Sequence, residues 1–252
     1  MKICVVGAGG VGGLLAAVLR KAGVDVSLLV TDRHLTAIRR NGLTLIAPSG
    51  RFSVEIQAEL DPRAIGACDV VMVTTKMWSV EALAPTLQPL LGKNAVVIPV
   101  QNGIDAPALL ARSLGWEHVV YGSASMNAAL EEPGVIRQRN PQYGITVAEA
   151  QGHESNRLPE VKETFRAAGV SVEIGTDGPA LLWDKFIGLV ANSSLCALLR
   201  SPMGWYKKTM TAGRSTPPYS TRPLQWGARQ ALRYPRRRQR RGSRVREHRH
   251  RW

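Results

Sequence analysis

The chain has 252 residues, 44% of them hydrophobic, enough for one large or two modest domains with a real core. No run of eighteen apolar residues occurs, which argues against a membrane-spanning segment, and three scattered cysteines (Cys4, Cys68, Cys196) give neither a disulfide framework nor metal-ligand spacing. The net charge of +14 is local: residues 205–252 carry 15 Lys and Arg against the single acid Glu247, so residues 1–204, with 18 basic and 18 acidic groups, are neutral.

Residues 2–6 form a short apolar run, followed by Gly7, Gly9 and Gly12 in GxGxxG spacing, a helical stretch from Leu14 to Ala22 ended by Gly23, and a second apolar run from Val24 to Val30. This strand, turn, helix and strand is the setting in which GxGxxG holds a dinucleotide. Gly7 permits the tight turn, Gly9 lets the backbone approach a pyrophosphate, and Gly12 lets the helix lie close on the strand. The free amides at the helix start face the phosphates. No N-terminal signal peptide is read here, because glycines interrupt the apolar segment; with the cysteine pattern, this predicts a cytoplasmic protein.

After the second strand, Asp32 and Arg33 offer both chemistries of ribose recognition, an acid for the hydroxyl of NAD and an arginine for the extra phosphate of NADP. Asp32 is equally suited to cap the helix that follows, Leu35 to Asn41, closed by Gly42. Residues 44–56 alternate around Pro48-Ser49-Gly50 as a hairpin. Asp69 to Thr75 and Ala95 to Val100 read as parallel strands buried on both faces, with a helix over Ser79 to Leu91 between them. Their carboxyl ends deliver Lys76 and Asn102, and in open α/β sheets ligands sit at such ends. Each has a plainer reading, Lys76 as a helix-entry lysine and Asn102-Gly103 as a turn dipeptide.

Strands over 119–126, 134–137 and 143–147, a helix over 158–168 and a strand over 171–174 are expected to extend the far side of the same sheet. Asp177 to Arg200 reads as one helix with Pro179 in its first turn, apolar nearly all round and therefore buried. Lys185 sits in its midst, where desolvation lowers an ammonium pKa toward the range useful for proton transfer. The alternatives are pairing with Asp184 or snorkelling to water. Asn192 and Ser193, two turns on, either bond a polar ligand or serve the helix itself.

Four stretches in this order, GAGGVG, TTKMW, PVQNGI and LWDKFIGLVANSSLCALLRSPMG, resemble the 2-dehydropantoate 2-reductases, or ketopantoate reductases, over about residues 1–204. The resemblance implies a Rossmann-type doubly wound α/β domain over 1–176, a helical substrate domain of which 177–204 is the first helix, and NADPH-dependent reduction of ketopantoate to pantoate in pantothenate biosynthesis. It places Lys185 as the catalytic proton donor. It places Gly7, Gly9, Gly10, Gly12, Arg33, Lys76 and Asn102 at the cofactor, and Lys76, Asn102, Asn192 and Ser193 at the 2-oxo acid, with no metal. Family members often carry asparagines where this chain has Leu189 and Ser193, with Asn192 one position off, which leaves the exact 2-oxo acid open.

From Trp205 the likeness stops. The segment holds four prolines (Pro217, Pro218, Pro223, Pro235) and dense arginine, a composition that predicts a disordered basic tail over 205–252. The expectation is a family member truncated or frame-shifted after about residue 204, either an active reductase or a cofactor-binding chain without turnover. The rival is an arginine-rich arm, Arg236 to Arg246, that binds nucleic acid with Trp226 and Tyr234 stacking on bases. A homo-oligomer is left open.

Overall fold

The structure, a computed structural model, describes residues 1–150 and 157–204. The chain divides into two units, Met1–Pro217 and Pro218–Trp252, and every described residue lies in the first. The expectations for 205–252 fall outside the described residues.

In chain order the opening elements are β1 (Lys2–Val6), α1 (Gly10–Lys21), β2 (Asp25–Leu29), α2 (Asp32–Asn41), β3 (Leu43–Ala47), β4 (Gly50–Val54), β5 (Gln57–Glu59) and α3 (Pro62–Ile65). β6 (Cys68–Val73) follows, then a broken helical segment containing α4 (Val80–Leu83), β7 (Leu91–Pro99) and α5 (Ala106–Leu114). The remainder is β8 (Tyr121–Ser125), β9 (Ala128–Glu132), β10 (Val135–Gln138), β11 (Gly144–Ala148), α6 (Arg157–Ala167), β12 (Ser171–Ile174) and α7 (Gly178–Leu199).

β5-β2-β1-β6-β7 form an all-parallel sheet. Both side-chain parities of a strand inside such a sheet must be apolar. β1 shows this directly: Ile3 and Val5 enter one core with Leu14, Leu15 and Leu19 of α1, while Cys4 and Val6 enter a second core with Val80, Leu87 and Leu110. Helices therefore cover both faces, the Rossmann-type arrangement read from the sequence. Chain order reverses at β1, whose neighbours are β2 and β6, so the crevice at the carboxyl ends of β1 and β6 is the switch point where ligands bind in such sheets. Cys4 and Cys68 are buried in the second core, where the hydrogen bond with the Cys68 thiol, and then burial, push the Cys4 thiol up and hold it protonated.

Three expectations are corrected. The segment after Ser79 is not one helix: it runs as 3₁₀ turns at Met77–Ser79 and Ala84–Leu90 around α4, because Pro85 and Pro89 lack the N–H an α-helix needs there. The later strands do not extend the first sheet. β4-β3-β10-β9 make a second sheet and β12-β11-β8 a third, the third joined to β7 by one parallel bridge between Val97 and Val119. The Val97 N–H donates to the His118 carbonyl at 2.8 Å and the Val97 carbonyl accepts from the Val120 N–H at 3.1 Å; the next rung would need an N–H from Pro99, which has none. Third, α7 has the expected bounds, with the Asp177 carboxylate capping Ala180 N–H at 2.9 Å, but is not buried. Its first turns rest on β8 and β11, and only Gly178 and Leu182 are fully covered, while Val190 and Leu198 are 45% and 80% exposed. α7 also has the length and mean hydropathy (1.3) of a membrane-crossing helix, by length and composition alone, although Asp184 and Lys185 interrupt its apolar run.

Candidate active site

The glycine turn is shaped by what each glycine faces. Gly7 has φ +99°, a conformation L side chains rarely adopt, and its N–H donates to the Leu29 carbonyl at 2.9 Å, closing the turn on β2. A Cβ on Gly12 would overlap the Gly7 carbonyl oxygen and Thr74 Oγ1, so Gly12 is what lets α1 lie on the strand ends, as expected. A Cβ on Gly9 would have nothing within 4 Å, leaving open space in front of the turn. Gly10 is pressed against the Ala128 carbonyl, a close approach to β9 that sequence reasoning had not distinguished from phosphate contact. Gly9 caps α1 with no side chain, so the first amides of the helix stay directed at the crevice.

Across the switch point, Thr74 Oγ1 donates within reach of the Val6 and Gly7 carbonyls (2.9 and 2.8 Å), tying β6 to the glycine turn. Gln101, 8% exposed, donates through Nε2 to the carbonyls of Val73 at 2.9 Å and Thr75 at 3.1 Å, tying the ends of β6 and β7 together. Sequence reasoning passed over Gln101; its signal was a glutamine directly after a continuous apolar strand, a polar side chain bound to need partners. Lys76 and Asn102 follow these two ends, and both are exposed. The Lys76 carbonyl accepts from the Ser79 amide and hydroxyl at 3.0 and 2.8 Å, a tight turn that ends the run of β6.

On the other flank, after β2, Arg33 is exposed in the first turn of α2. Asp32 is the first residue of that helix and not its cap, a position held by Thr31, which corrects the capping alternative. His34 beside it is half-buried, and burial together with the Arg33 charge lowers its pKa.

Lys185 approaches from α7. Its Nζ donates to the Ala124 carbonyl on β8 at 2.8 Å, and desolvation by burial lowers its pKa. Neither the Asp184 pairing nor a fully solvated position describes it. Ala124 lies two residues after Gly122, whose backbone abuts the Pro99 carbonyl at the end of β7, and four residues before Ala128, whose carbonyl abuts Gly10. Four residues span at most about 14 Å, so the β8 carbonyl that holds the Lys185 amine is a short stretch of chain from the start of β9, where Ala128 meets Gly10. Farther along α7, Asn192 Nδ2 donates to the Gly188 carbonyl at 2.7 Å, a bond within the helix, and Ser193 is exposed. A cavity of about 690 Å³ opens past the same strand, lined by Ser125, Asn127, Thr146, Ser171 and Glu173 among others. Among the described residues its lining has no Lys, Arg or His and does carry the Glu173 carboxylate, a setting poorly made for an anionic acid.

Glycine turn, open space at Gly9, uncapped helix amides and a lowered lysine together suit a dinucleotide and a carbonyl substrate. Among the described residues, no group of His, Cys, Asp and Glu is placed to hold a metal ion. The family model described as Ketopantoate reductase PanE/ApbA matches residues 3–152. The chain belongs to this family. Ketopantoate reductases of this family are oxidoreductases that use a nicotinamide dinucleotide and act on a small 2-oxo acid. The uncharacterized oxidoreductase YkpB of Bacillus subtilis (strain 168) is 29% identical over 217 residues, covering 86% of this chain and 71% of that protein. The 2-dehydropantoate 2-reductase of Pyrococcus horikoshii is 30% identical over 209 residues, 82% of this chain and 67% of the other. The crystal structure of 2-dehydropantoate 2-reductase from Porphyromonas gingivalis W83 superposes with a TM-score of 0.76 at 25% identity, covering 82% of this chain and 75% of that one.

Proposed function

We propose that this family member reduces 2-dehydropantoate to pantoate with NADPH, and that Lys185 is its proton donor. The observation that carries the reading is the Lys185 amine, half-buried, lowered in pKa and held on the Ala124 carbonyl of β8, four residues before the Ala128 carbonyl that meets Gly10 of the glycine turn.

A bound nicotinamide dinucleotide supplies a hydride to the keto carbon. Negative charge then develops on the carbonyl oxygen, and an ammonium at that oxygen stabilises the charge and gives up its proton to form the hydroxyl. Lys185 ends as a neutral amine and is reprotonated from solvent; desolvation makes that neutral form cheaper than it would be in water. The α1 amides with Gly7, Gly9, Gly10 and Gly12 hold the pyrophosphate, and Lys76 and Asn102 at the rim orient the nicotinamide and the acid. Asn192 and the exposed Ser193 lie two turns beyond Lys185 on α7 and are assigned to the 2-oxo acid by their place on that helix.

Arg33, exposed after β2, is the candidate clamp for the 2′-phosphate of NADPH, and it favours NADPH over NADH. The assay is oxidation of NADPH on adding ketopantoate, with other 2-oxo acids in parallel and NADH as the competing cofactor. Ketopantoate-dependent oxidation with NADPH preferred supports the reading, and Arg33→Ala is expected to reduce that preference by about tenfold or more. Oxidation with another 2-oxo acid alone would transfer the activity to that substrate. A second reading, cofactor binding without turnover, is favoured by the exposure of the apolar side chains of α7, and the same assay separates it.

A further inference from the structure

Two buried side-chain atoms at the carboxyl ends of β6 and β7 lack a hydrogen-bond partner: Thr75 Oγ1 and Gln101 Oε1. Buried polar atoms are nearly always paired, so each orphan asks for an explanation. The Gln101 amide cannot be turned to relieve its own orphan. Its two N–H groups already serve the Val73 and Thr75 carbonyls, and a flip would set Oε1 against those two oxygens. The same bond places the Gln101 carboxamide against Thr75, whose methyl would in turn lie 3.1 Å from a Cβ on Gly7. Thr75 therefore borders the glycine turn, and Gln101 is bonded to it.

Sheet order says which half of a dinucleotide lies there. The turn that follows β1 is central; β2 and Arg33 are on one side, β6 and β7 on the other. With about 4.8 Å between strands, the ends of β6 and β7 lie one and two spacings from the pyrophosphate turn, on the flank opposite Arg33.

We propose that Thr75 Oγ1 and Gln101 Oε1 form a polar pair completed by the nicotinamide half of the bound dinucleotide. That half carries a carboxamide, which offers N–H to an acceptor such as Gln101 Oε1 and a carbonyl to a hydroxyl such as that of Thr75. Neither residue touches reacting atoms; both are binding residues, and the inference rests on the dinucleotide reading above.

The test variant is Thr75→Val, which exchanges a hydroxyl for a methyl at nearly constant shape. If the hydroxyl waits for ligand, the free protein melts at the wild-type temperature or above it, since a buried atom without a partner has been removed. NADPH titrated into the variant then binds about tenfold more weakly. 2′-Phospho-ADP-ribose, which lacks the nicotinamide half, binds as tightly as to wild type. Thr75→Ser keeps the hydroxyl and retains wild-type NADPH affinity, and Gln101→Met loses affinity for NADPH while sparing 2′-phospho-ADP-ribose. Unchanged NADPH affinity in Thr75→Val overturns the proposal, as does an equal loss for both ligands or a lower melting temperature with affinity intact. If wild type binds neither NADPH nor NADH, the dinucleotide reading itself falls and this inference falls with it.

Discussion

Lys185 carries the chemistry proposed here, and its environment dictates a pH dependence. Burial disfavours its charged form, so the amine loses its proton below the ordinary lysine range. A group that must donate a proton is useful only below that lowered pKa, so kcat/KM should fall on the alkaline side earlier than a solvated lysine would allow. Lys185→Arg, which stays charged, should act weakly and show no such limb in a pH profile. The stability sign follows from the same shift. Between the lowered and the ordinary value the unfolded chain holds the extra proton, so stability rises with pH in that window, and Lys185→Met should remove this contribution from melting curves taken across it. The glycines give a second contrast at this scale. Gly12→Ala must push against the Gly7 carbonyl and Thr74, and should cost about 1–3 kcal/mol in denaturant unfolding. Gly9→Ala meets nothing in the free protein and should leave stability nearly unchanged while weakening NADPH binding.

At the scale of elements, the opening strand, turn, helix and second strand were legible because local rules coincide there: an apolar run, glycine spacing and a helix stop agree on one geometry. The bounds of α7 were equally legible, from Asp177 as cap to the break at Arg200, which adopts φ +47°. Its surroundings were not. Apolar composition says what a helix can bury and is silent on whether anything lies over it, and Trp183, Ile187 and Leu198 are in fact exposed. β9 and α5 went unread, and the grouping of strands into three sheets turned on details such as the missing N–H of Pro99, which no periodicity reports. For the site, the glycines and Lys185 could be picked out by residue type, but the partners of Gln101, Thr75 and Gly10 come from segments distant in sequence. The exposed apolar stretch of α7 also makes a prediction of its own. The chain should associate in a concentration-dependent way in sedimentation velocity, and Ile187→Lys with Leu198→Lys should shift it toward smaller species.

For the molecule as a whole, charge and chemistry occupy different parts of the chain. Residues 1–204 hold balanced charge and all the proposed site residues, whereas the +14 lies in residues 205–252. Any affinity for DNA or RNA should therefore fall steeply with salt and vanish when the chain is cut after Gly204, as measured by fluorescence anisotropy. Retention of that affinity after the cut would place a nucleic-acid surface on the folded part and weaken the reductase reading. The most direct measurement compares wild type and Lys185→Ala for ketopantoate-dependent NADPH oxidation, with NADPH affinity titrated on both. A loss in kcat of about 10²–10⁴-fold with NADPH affinity preserved is predicted for the variant. Equal turnover by the two proteins would show that the proton comes from elsewhere and contradict the role assigned to Lys185.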